Sequence, residues 1–347
     1  MKKYLNYLTF SILLIFSLTI LSGCSKDNKA SEPISRTELL MGTVIKVTLY
    51  DSSDEKILDK VFDKVKELES TLSINENGTL VDKINESAGI EPVKVDDDTY
   101  TVIKKGFEYS KLSNGLFDIT IGPIVKLWNI GLPEAKVPTQ DEINSKLPLI
   151  GYNDIEFNDN DKTIFLKRKG MMIDLGGVAK GYTADIISNI LTEEGVNSAI
   201  IDLGGNIFAH GKKVSGEDWK IGIQNPFSDR GDIIGTITVN NKSIVTSGIY
   251  ERYIEQDGIK YHHILNPKTG YPYDNEIAGI TIISNKSADG DALSTSVFAM
   301  GIEEGMKFVN TLPDIDAIFV TKDNKVYITD GIRDIFKLTN TDFTLAN

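Results

Sequence analysis

Between Ile57 and Leu72 the apolar positions Ile57, Leu58, Val61, Phe62, Val65, Leu68 and Leu72 fall on one stripe at helical spacing. Ser52-x-x-Glu55 in front of the stripe reads as a capping box for that helix. Before it, Thr37 to Tyr50 reads as a strand interrupted at Met41-Gly42-Thr43. Asp98 to Leu112 repeats the helical pattern less cleanly and closes at Asn114-Gly115, a C-terminal cap. A third helix follows Lys180, carries Ile186, Ile187, Ile190 and Leu191, and stops near Gly195. Beyond it the period changes to that of strands: Ser198–Leu203, Trp219–Gln224, Ile233–Val239 and Ala278–Ser284. Asp257-Gly258 closes a hairpin between Ile249–Glu255 and Ile259–Leu265, and Ala317–Thr321 with Val326–Thr329 forms a last one. A helix is expected over Asp291–Gly301. Hairpins interleaved with helices predict an α+β fold, with largely antiparallel or mixed sheets flanked by helices. No Gly-x-Gly-x-x-Gly follows the first strand, so a Rossmann domain is not expected.

The N-terminal pattern is of another kind. Lys2 and Lys3 precede an apolar run from Tyr7 to Leu21, and Leu21-Ser22-Gly23-Cys24 follows. That run is short for a membrane-spanning helix, which needs about 20 residues. Basic, apolar and small residues in this order define a secretory signal, and Cys24, the single cysteine, stands where a bacterial lipoprotein signal carries its lipidated residue. The expected organisation is a signal peptide over 1–23, a lipidated polar tether over 24–35 and one functional domain over 36–347, held at the extracytoplasmic face of the cell membrane. Lipidation of Cys24 would leave no thiol for disulfides or catalysis. The formal charge of −13 becomes −15 once Lys2 and Lys3 depart, which argues against nucleic-acid binding. An anionic ligand would need local positive charge or a metal ion.

Asp174-Leu-Gly-Gly-Val-Ala-Lys-Gly-Tyr182 and Asp202-Leu-Gly-Gly-Asn206 supply candidate chemistry. Glycines at strand-to-turn junctions let backbone amides approach a pyrophosphate, a following helix adds its positive dipole end, and Lys180 adds charge. A Gly-Gly pair can equally serve only to turn the chain. Asp291 and Thr295 lie one helical turn apart, so that a carboxylate and a hydroxyl on one face could hold Mg²⁺. The alternative is structural: Asp291 favouring the helix N-terminus and Thr295 bonding back to a carbonyl. His262-His263 ends the hairpin, and because neighbouring strand residues face opposite sides only one of the two can face a site. Thr246-Ser247-Gly248 could donate hydroxyl and amide hydrogen bonds to a ligand, or form an ordinary loop.

Taken in order, these residues resemble a known family. Met41-Gly42-Thr43, Leu72-Ser73 with Asn85, Gly115-Leu-Phe117-Asp118-x-x-x-Gly122-Pro123-x-Val125-x-Leu-Trp128, both Asp-Leu-Gly-Gly turns, Ser247-Gly248-x-x-x-Arg252, His263-Ile-x-Asn-Pro-x-Thr-Gly and Asp291-Ala-Leu-Ser-Thr295 follow the pattern of the ApbE family of FAD:protein FMN transferases. The resemblance spans residues 36–335. It implies an ApbE-like, T-fold-related architecture and a Mg²⁺-dependent transfer of FMN from FAD to a threonine hydroxyl of an acceptor flavoprotein, such as a membrane redox-complex subunit, with release of AMP. Carried over residue by residue, it places Met41, Leu116, Phe117, Asp118, Asp174, Lys180, Ser247, His263 and Ile264 around FAD. Gly177, through its carbonyl, Asp291 and Thr295 would hold the metal, and Asp291 and His263 would carry catalysis, with His263 activating the threonine.

Two positions depart from the family pattern. Asn75 stands where many members have an aromatic residue two positions after the Leu-Ser serine, and Asn266 replaces the usual Asp before Pro267. Besides FMN transfer, two readings stay open at this level: a Mg²⁺-dependent FAD pyrophosphatase giving FMN and AMP, in which water replaces the threonine, and a non-catalytic flavin- or solute-binding lipoprotein.

Overall fold

A computed structural model describes residues 32–347. The expected signal peptide, the lipid-bearing Cys24 and most of the expected tether lie outside these residues. Strand β1 (Ile34–Leu40) takes in the last two residues of the stretch read as tether. The run read as one interrupted strand is a hairpin: β1 pairs antiparallel with β2 (Thr43–Leu49) across a turn at Met41-Gly42, both with positive φ (52° and 66°). The first helix, α1 (Glu55–Leu72), buries all seven residues of its stripe. Its cap is Asp54, which accepts from the Lys56 N–H at 3.0 Å, while Ser52 bonds to Asp54 instead of capping the helix. A carboxylate one position before the helix outcompetes the more distant serine.

Helices α2 (Leu80–Glu86) and α3 (Asp97–Leu112) follow, with β3 (Val93–Lys94) between them. Then come α4 (Gly122–Trp128), α5 (Gln140–Lys146), β4 (Ile155–Asn158) and β5 (Thr163–Leu166). The second half holds α6 (Ala179–Glu193), β6 (Ser198–Leu203), β7 (Asn206–Gly211), β8 (Trp219–Gln224), β9 (Ile233–Val239) and β10 (Lys242–Gly248). It continues through β11 (Tyr253–Gln256), β12 (Ile259–His262), β13 (Ile277–Ser284), α7 (Ser287–Val309), β14 (Asp316–Thr321), β15 (Lys325–Ile328), β16 (Phe336–Leu338) and β17 (Thr344–Leu345).

Among the described residues, nine strands form one sheet in the order β1-β2-β6-β7-β10-β13-β14-β15-β17, antiparallel except for the last pair. The period-2 alternation divides its side chains between two cores. On one face Ile280 and Ile282 of β13 and Phe319 of β14 meet Leu293, Val297 and Phe298 of α7, while Val47 and Ile201 meet α1 and α6. On the other face Ile283, Ile318 and Val320 pack against the small sheet β16-β9-β8. The α+β reading therefore holds. Strand β13, buried along its whole length, is sandwiched between the helical layer and the small sheet.

Two contacts between α6 and α7 position the chemistry. A Cβ on Gly181 would come within 2.3 Å of the Ser287 carbonyl oxygen, so only glycine lets the two helix starts touch. Asp185 of α6 accepts the Ser287 and Ala288 N–H groups at 2.8 and 3.0 Å and so caps α7 from its neighbour. Helix α7 begins four residues earlier than the sequence pattern indicates, and Asp291 sits inside it rather than at its end. No helix of the described residues is long and apolar enough to cross a membrane.

Candidate active site

All twelve residues expected from the sequence to bind ligand or metal line one cleft of about 1870 Å³. Pockets for drug-sized ligands measure about 300–1,000 Å³, so this one accommodates something larger, of dinucleotide size. Met41 enters it from the β1–β2 turn, Leu116, Phe117 and Asp118 from the loop after α3, and Asp174 and Gly177 from the first Asp-Leu-Gly-Gly turn. Lys180 comes from α6, Ser247 from β10, His263 and Ile264 from the chain after β12, and Asp291 and Thr295 from α7.

At the centre, the closeness of α6 and α7 brings the Asp291 Oδ2 within 2.9 Å of the Gly181 N–H, while Oδ1 lies 3.3 Å from Lys180 Nζ. Lys180 also donates to the Gly176 carbonyl at 3.0 Å. Because Gly181 gives its N–H to Asp291, the Gly177 carbonyl has no hydrogen bond among the described residues. Thr295 makes no back-bond either: Ser294 takes the Asp291 carbonyl at 2.7 Å, and the Thr295 hydroxyl lies beside Gly177, 3.5 Å from where a Cβ there would stand. The structural roles open to these two residues are thus filled by others, Asp185 capping the helix and Ser294 bonding back. One carboxylate, one free hydroxyl and one free carbonyl are an all-oxygen donor set suited to a hard cation. Among the described residues no cluster of three or more His, Cys, Asp or Glu forms a metal site by itself.

Enclosure pushes the Asp174 carboxyl above the usual carboxylate range, against the Gly176 N–H bond and the Lys180, Lys126 and Arg252 charges. Asp118 is likewise raised by burial, but its oxygens are spent on the Thr120 N–H (2.8 Å), the Thr120 hydroxyl (2.7 Å) and the Tyr152 N–H (3.1 Å). It shapes the cleft wall, and its carboxylate is turned away from it. Leu116 is fixed by the Tyr273 hydroxyl, which donates to its carbonyl at 2.8 Å. Ser247 bonds to Ser294 at 2.8 Å, and Asn75 accepts from Lys126 Nζ at 3.0 Å. Asn266 accepts the Lys268 N–H at 2.9 Å, as the turn requires of either Asn or Asp.

Both histidines line the cleft, His262 as the last residue of β12 and His263 just beyond it, and they differ in how their rings are bonded. His262 is buried with Nε2 on the Tyr273 carbonyl at 2.9 Å, and its Nδ1 accepts the Ile264 N–H at 3.3 Å. The half-buried His263 faces the cleft with Nδ1 at 3.3 Å from the Arg252 carbonyl. Its imidazole is held below the ordinary histidine value by its enclosed position and by the Arg252 guanidinium, and is therefore neutral at physiological pH. Sequence reasoning gave no role to Arg230, Glu251 or Arg252, all of which line the cleft. Only Arg252 left a signal, as the last residue of Ser247-Gly248-x-x-x-Arg252. The other two reach the site through folding alone.

Fold and site together define an α+β protein with a dinucleotide-sized cleft ringed by glycine turns, two helix starts and one neutral histidine. The chain belongs to the ApbE family, whose family model matches residues 41–319. It is 40% identical over 295 residues to a FAD:protein FMN transferase of Klebsiella pneumoniae, covering 85% of this chain and 91% of that protein. Among solved structures, the ApbE protein of Thermotoga maritima matches with a TM-score of 0.79 at 31% identity, covering 86% of this chain and 98% of the other. The flavin transferase ApbE of Vibrio cholerae matches with the same TM-score at 26% identity, over 88% and 99% of the two chains.

Proposed function

We propose that this protein is a FAD:protein FMN transferase that moves FMN from FAD onto a threonine hydroxyl of an acceptor flavoprotein. The supporting observation is the convergence, in one large cleft, of Lys180, Asp291 and the free Gly177 carbonyl and Thr295 hydroxyl with the cleft-facing His263. The threonine oxygen forms a bond to the FMN phosphorus, and the bond from that phosphorus to the bridging oxygen breaks, so AMP leaves with the bridging oxygen. The threonine proton passes to Nε2 of the neutral His263, whose Nδ1 is held on the Arg252 carbonyl. Lys180 supplies positive charge to the pyrophosphate, and the first glycine turn presents its backbone to it. Asp291, Thr295 and the Gly177 carbonyl would hold Mg²⁺, which when bound neutralises charge on the transferring phosphoryl group.

Full-length protein given FAD, Mg²⁺ and an acceptor flavoprotein domain bearing a target threonine should add one FMN, less water, to the acceptor and release AMP. AMP without any gain in acceptor mass would instead mean pyrophosphatase activity, and binding of FAD without AMP would mean a non-catalytic flavin carrier. The reading extends to location: lipidated Cys24 anchors the domain at the extracytoplasmic membrane face, where a membrane redox-complex subunit could serve as acceptor. Wild-type protein should fractionate with membranes and Cys24→Ala should not, and equal fractionation would refute the anchor.

A further inference from the structure

Arg252 joins three separate parts of the cleft. Its Nη2 donates to the Gly42 carbonyl at 2.9 Å, in the turn that carries Met41. Its aliphatic stem covers Gly131, where a Cβ would come within 3.3 Å of Cδ. Its own carbonyl receives the His263 backbone N–H at 3.1 Å and lies 3.3 Å from the His263 Nδ1. The segment that carries it, residues 249–252 between β10 and β11, belongs to no strand, and its internal bond from Glu251 to Gly248 is long at 3.4 Å. The backbone holds this segment at its two ends, through the Ile249 N–H on the Ala278 carbonyl at 3.1 Å and the His263 N–H on the Arg252 carbonyl, and the Arg252 side chain adds the tie to the Met41-Gly42 turn.

The consequence is read in the tautomers. A carbonyl only accepts, so a ring nitrogen facing one must carry the proton. His210 faces the Val196 carbonyl with Nε2 at 2.9 Å, and His262 faces the Tyr273 carbonyl with Nε2, so both are protonated there. His263 faces Arg252 with Nδ1 and is, of the three histidines in the chain, the one protonated on Nδ1. Its Nε2 then holds a lone pair and no hydrogen bond among the described residues. That is the state a base needs in order to take a hydroxyl proton.

We infer that Arg252 is a positioning residue: by fastening its segment to the Met41-Gly42 turn it holds its carbonyl against His263 and keeps the Nε2 lone pair aimed into the cleft. The inference deepens the transferase reading and rests on it for its kinetic part. The tautomer part stands independently. Charged groups also reach this end of the cleft from other elements, Lys180 from α6, Asp291 from α7, Asp174 from the first glycine turn and Arg230 from the β8–β9 loop, and none of them is hydrogen-bonded to the His263 ring.

The test compares wild-type, Arg252→Met and Arg252→Lys in the full chain, with His263→Ala to assign the imidazole signals. Long-range proton–nitrogen correlation spectra should show two Nε2-protonated rings and one Nδ1-protonated ring in the wild type. In Arg252→Met only the His263 signal should change, to a mixture of tautomers, and Arg252→Lys should restore most of the Nδ1 form. With FAD and acceptor, kcat for Arg252→Met should fall about tenfold with KM for FAD held within about twofold, as expected when a reacting group is misaligned and substrate contacts are kept. An unchanged His263 tautomer in Arg252→Met, or a wild-type His263 protonated on Nε2, overturns the inference. A rise in KM with kcat kept overturns it as well and makes Arg252 a ground-state contact to FAD. If the wild type transfers no FMN, the transferase reading fails, and the spectra alone still decide the tautomer claim.

Discussion

The two Asp-Leu-Gly-Gly turns share a tetrapeptide and little else. The first, at Asp174, follows an extended segment that belongs to no sheet and is held by the Asp174 N–H on the Ile119 carbonyl at 2.8 Å and by Asn85 on Ile173, its glycines keep ordinary φ values, and it runs into helix α6. The second, at Asp202, joins β6 to β7 as a tight hairpin, with φ of 65° at Gly204 and 105° at Gly205. In each, the aspartate holds a glycine amide: Asp174 bonds the Gly176 N–H at 2.9 Å and Asp202 the Gly205 N–H at 3.2 Å. The first turn therefore has a helix start behind it and faces Lys180 and Asp291, while the second has a strand behind it. Of the two turns, only the first opens a helix. A short glycine motif takes its conformation from the element it leads into, and only the copy that opens a helix gains a field that attracts anions.

The sharpest way to break this contrast is at Asp291, which bonds the helix start behind the first turn. Asp291→Ala should reduce FMN transfer by at least about 10²-fold, the scale on which loss of charge stabilisation at a transferring group is felt. Activity should vanish in the same way in excess EDTA. Transfer that survives both would confine Asp291 to the packing of α6 on α7.

Next comes the base. His263→Ala should lose about 10²–10⁴-fold in transfer while still binding FAD in a metal-free titration. His262→Ala should leave transfer nearly unchanged and instead destabilise the fold by about 1–3 kcal/mol, because the Ile264 amide and Tyr273 carbonyl lose a buried partner. Because the His263 imidazole is held below its ordinary value, kcat/KM for wild type should show no limb near pH 6.5. A clear limb there would mean that a different group carries the proton.

The turns themselves can be exchanged for alanine one at a time. At Gly204 a Cβ would meet the Thr43 hydroxyl at 1.8 Å at a left-handed φ, so Gly204→Ala should cost about 2–4 kcal/mol of stability, from overpacking plus backbone strain. Gly176→Ala meets only the Asp174 oxygen, at 3.0 Å and ordinary φ, and should fold normally while weakening FAD binding. Equal melting temperatures for the two variants would erase the distinction drawn between the turns.

The smallest effect is expected at Asp174. Its carboxyl is raised in the folded state, so ionisation is easier in the unfolded chain and stability is lost as pH rises through the carboxylate range. Asp174→Asn should consequently melt slightly higher than wild type at pH 7 and not at pH 3, a difference visible by calorimetry. A lower melting temperature at pH 7 would show that the Lys180, Lys126 and Arg252 charges outweigh desolvation there.

The seven-residue stripe of α1, the strands Ser198–Leu203, Trp219–Gln224 and Ile233–Val239, and the cap at Asn114-Gly115 were all legible in the sequence. Each is set by contacts within one element, where burial imposes a period of 3.6 or 2. The candidate site was legible to the extent that its residues occur in ordered short motifs. Where the reading missed, a distant group or a competing neighbour decided the outcome. Asp54 displaced Ser52 as cap, Asp185 took over the start of α7, and Asp118 turned inward to Thr120 and Tyr152.

By itself, then, the sequence determined the α+β class, most helix and strand faces, and the set of side chains able to handle a pyrophosphate and a hydroxyl. Tertiary structure alone decided which of them act together. The contact of α6 with α7 at Gly181 frees the Gly177 carbonyl, the Tyr273 carbonyl and the Ile264 N–H occupy both ring nitrogens of His262 while His263 is bonded through Nδ1 alone, and Arg252 reaches across to Gly42. Periodicity records how each element meets water and core. Hydrogen bonds between residues as far apart as Gly181 and Asp291 depend on how the elements pack, and no local pattern encodes that.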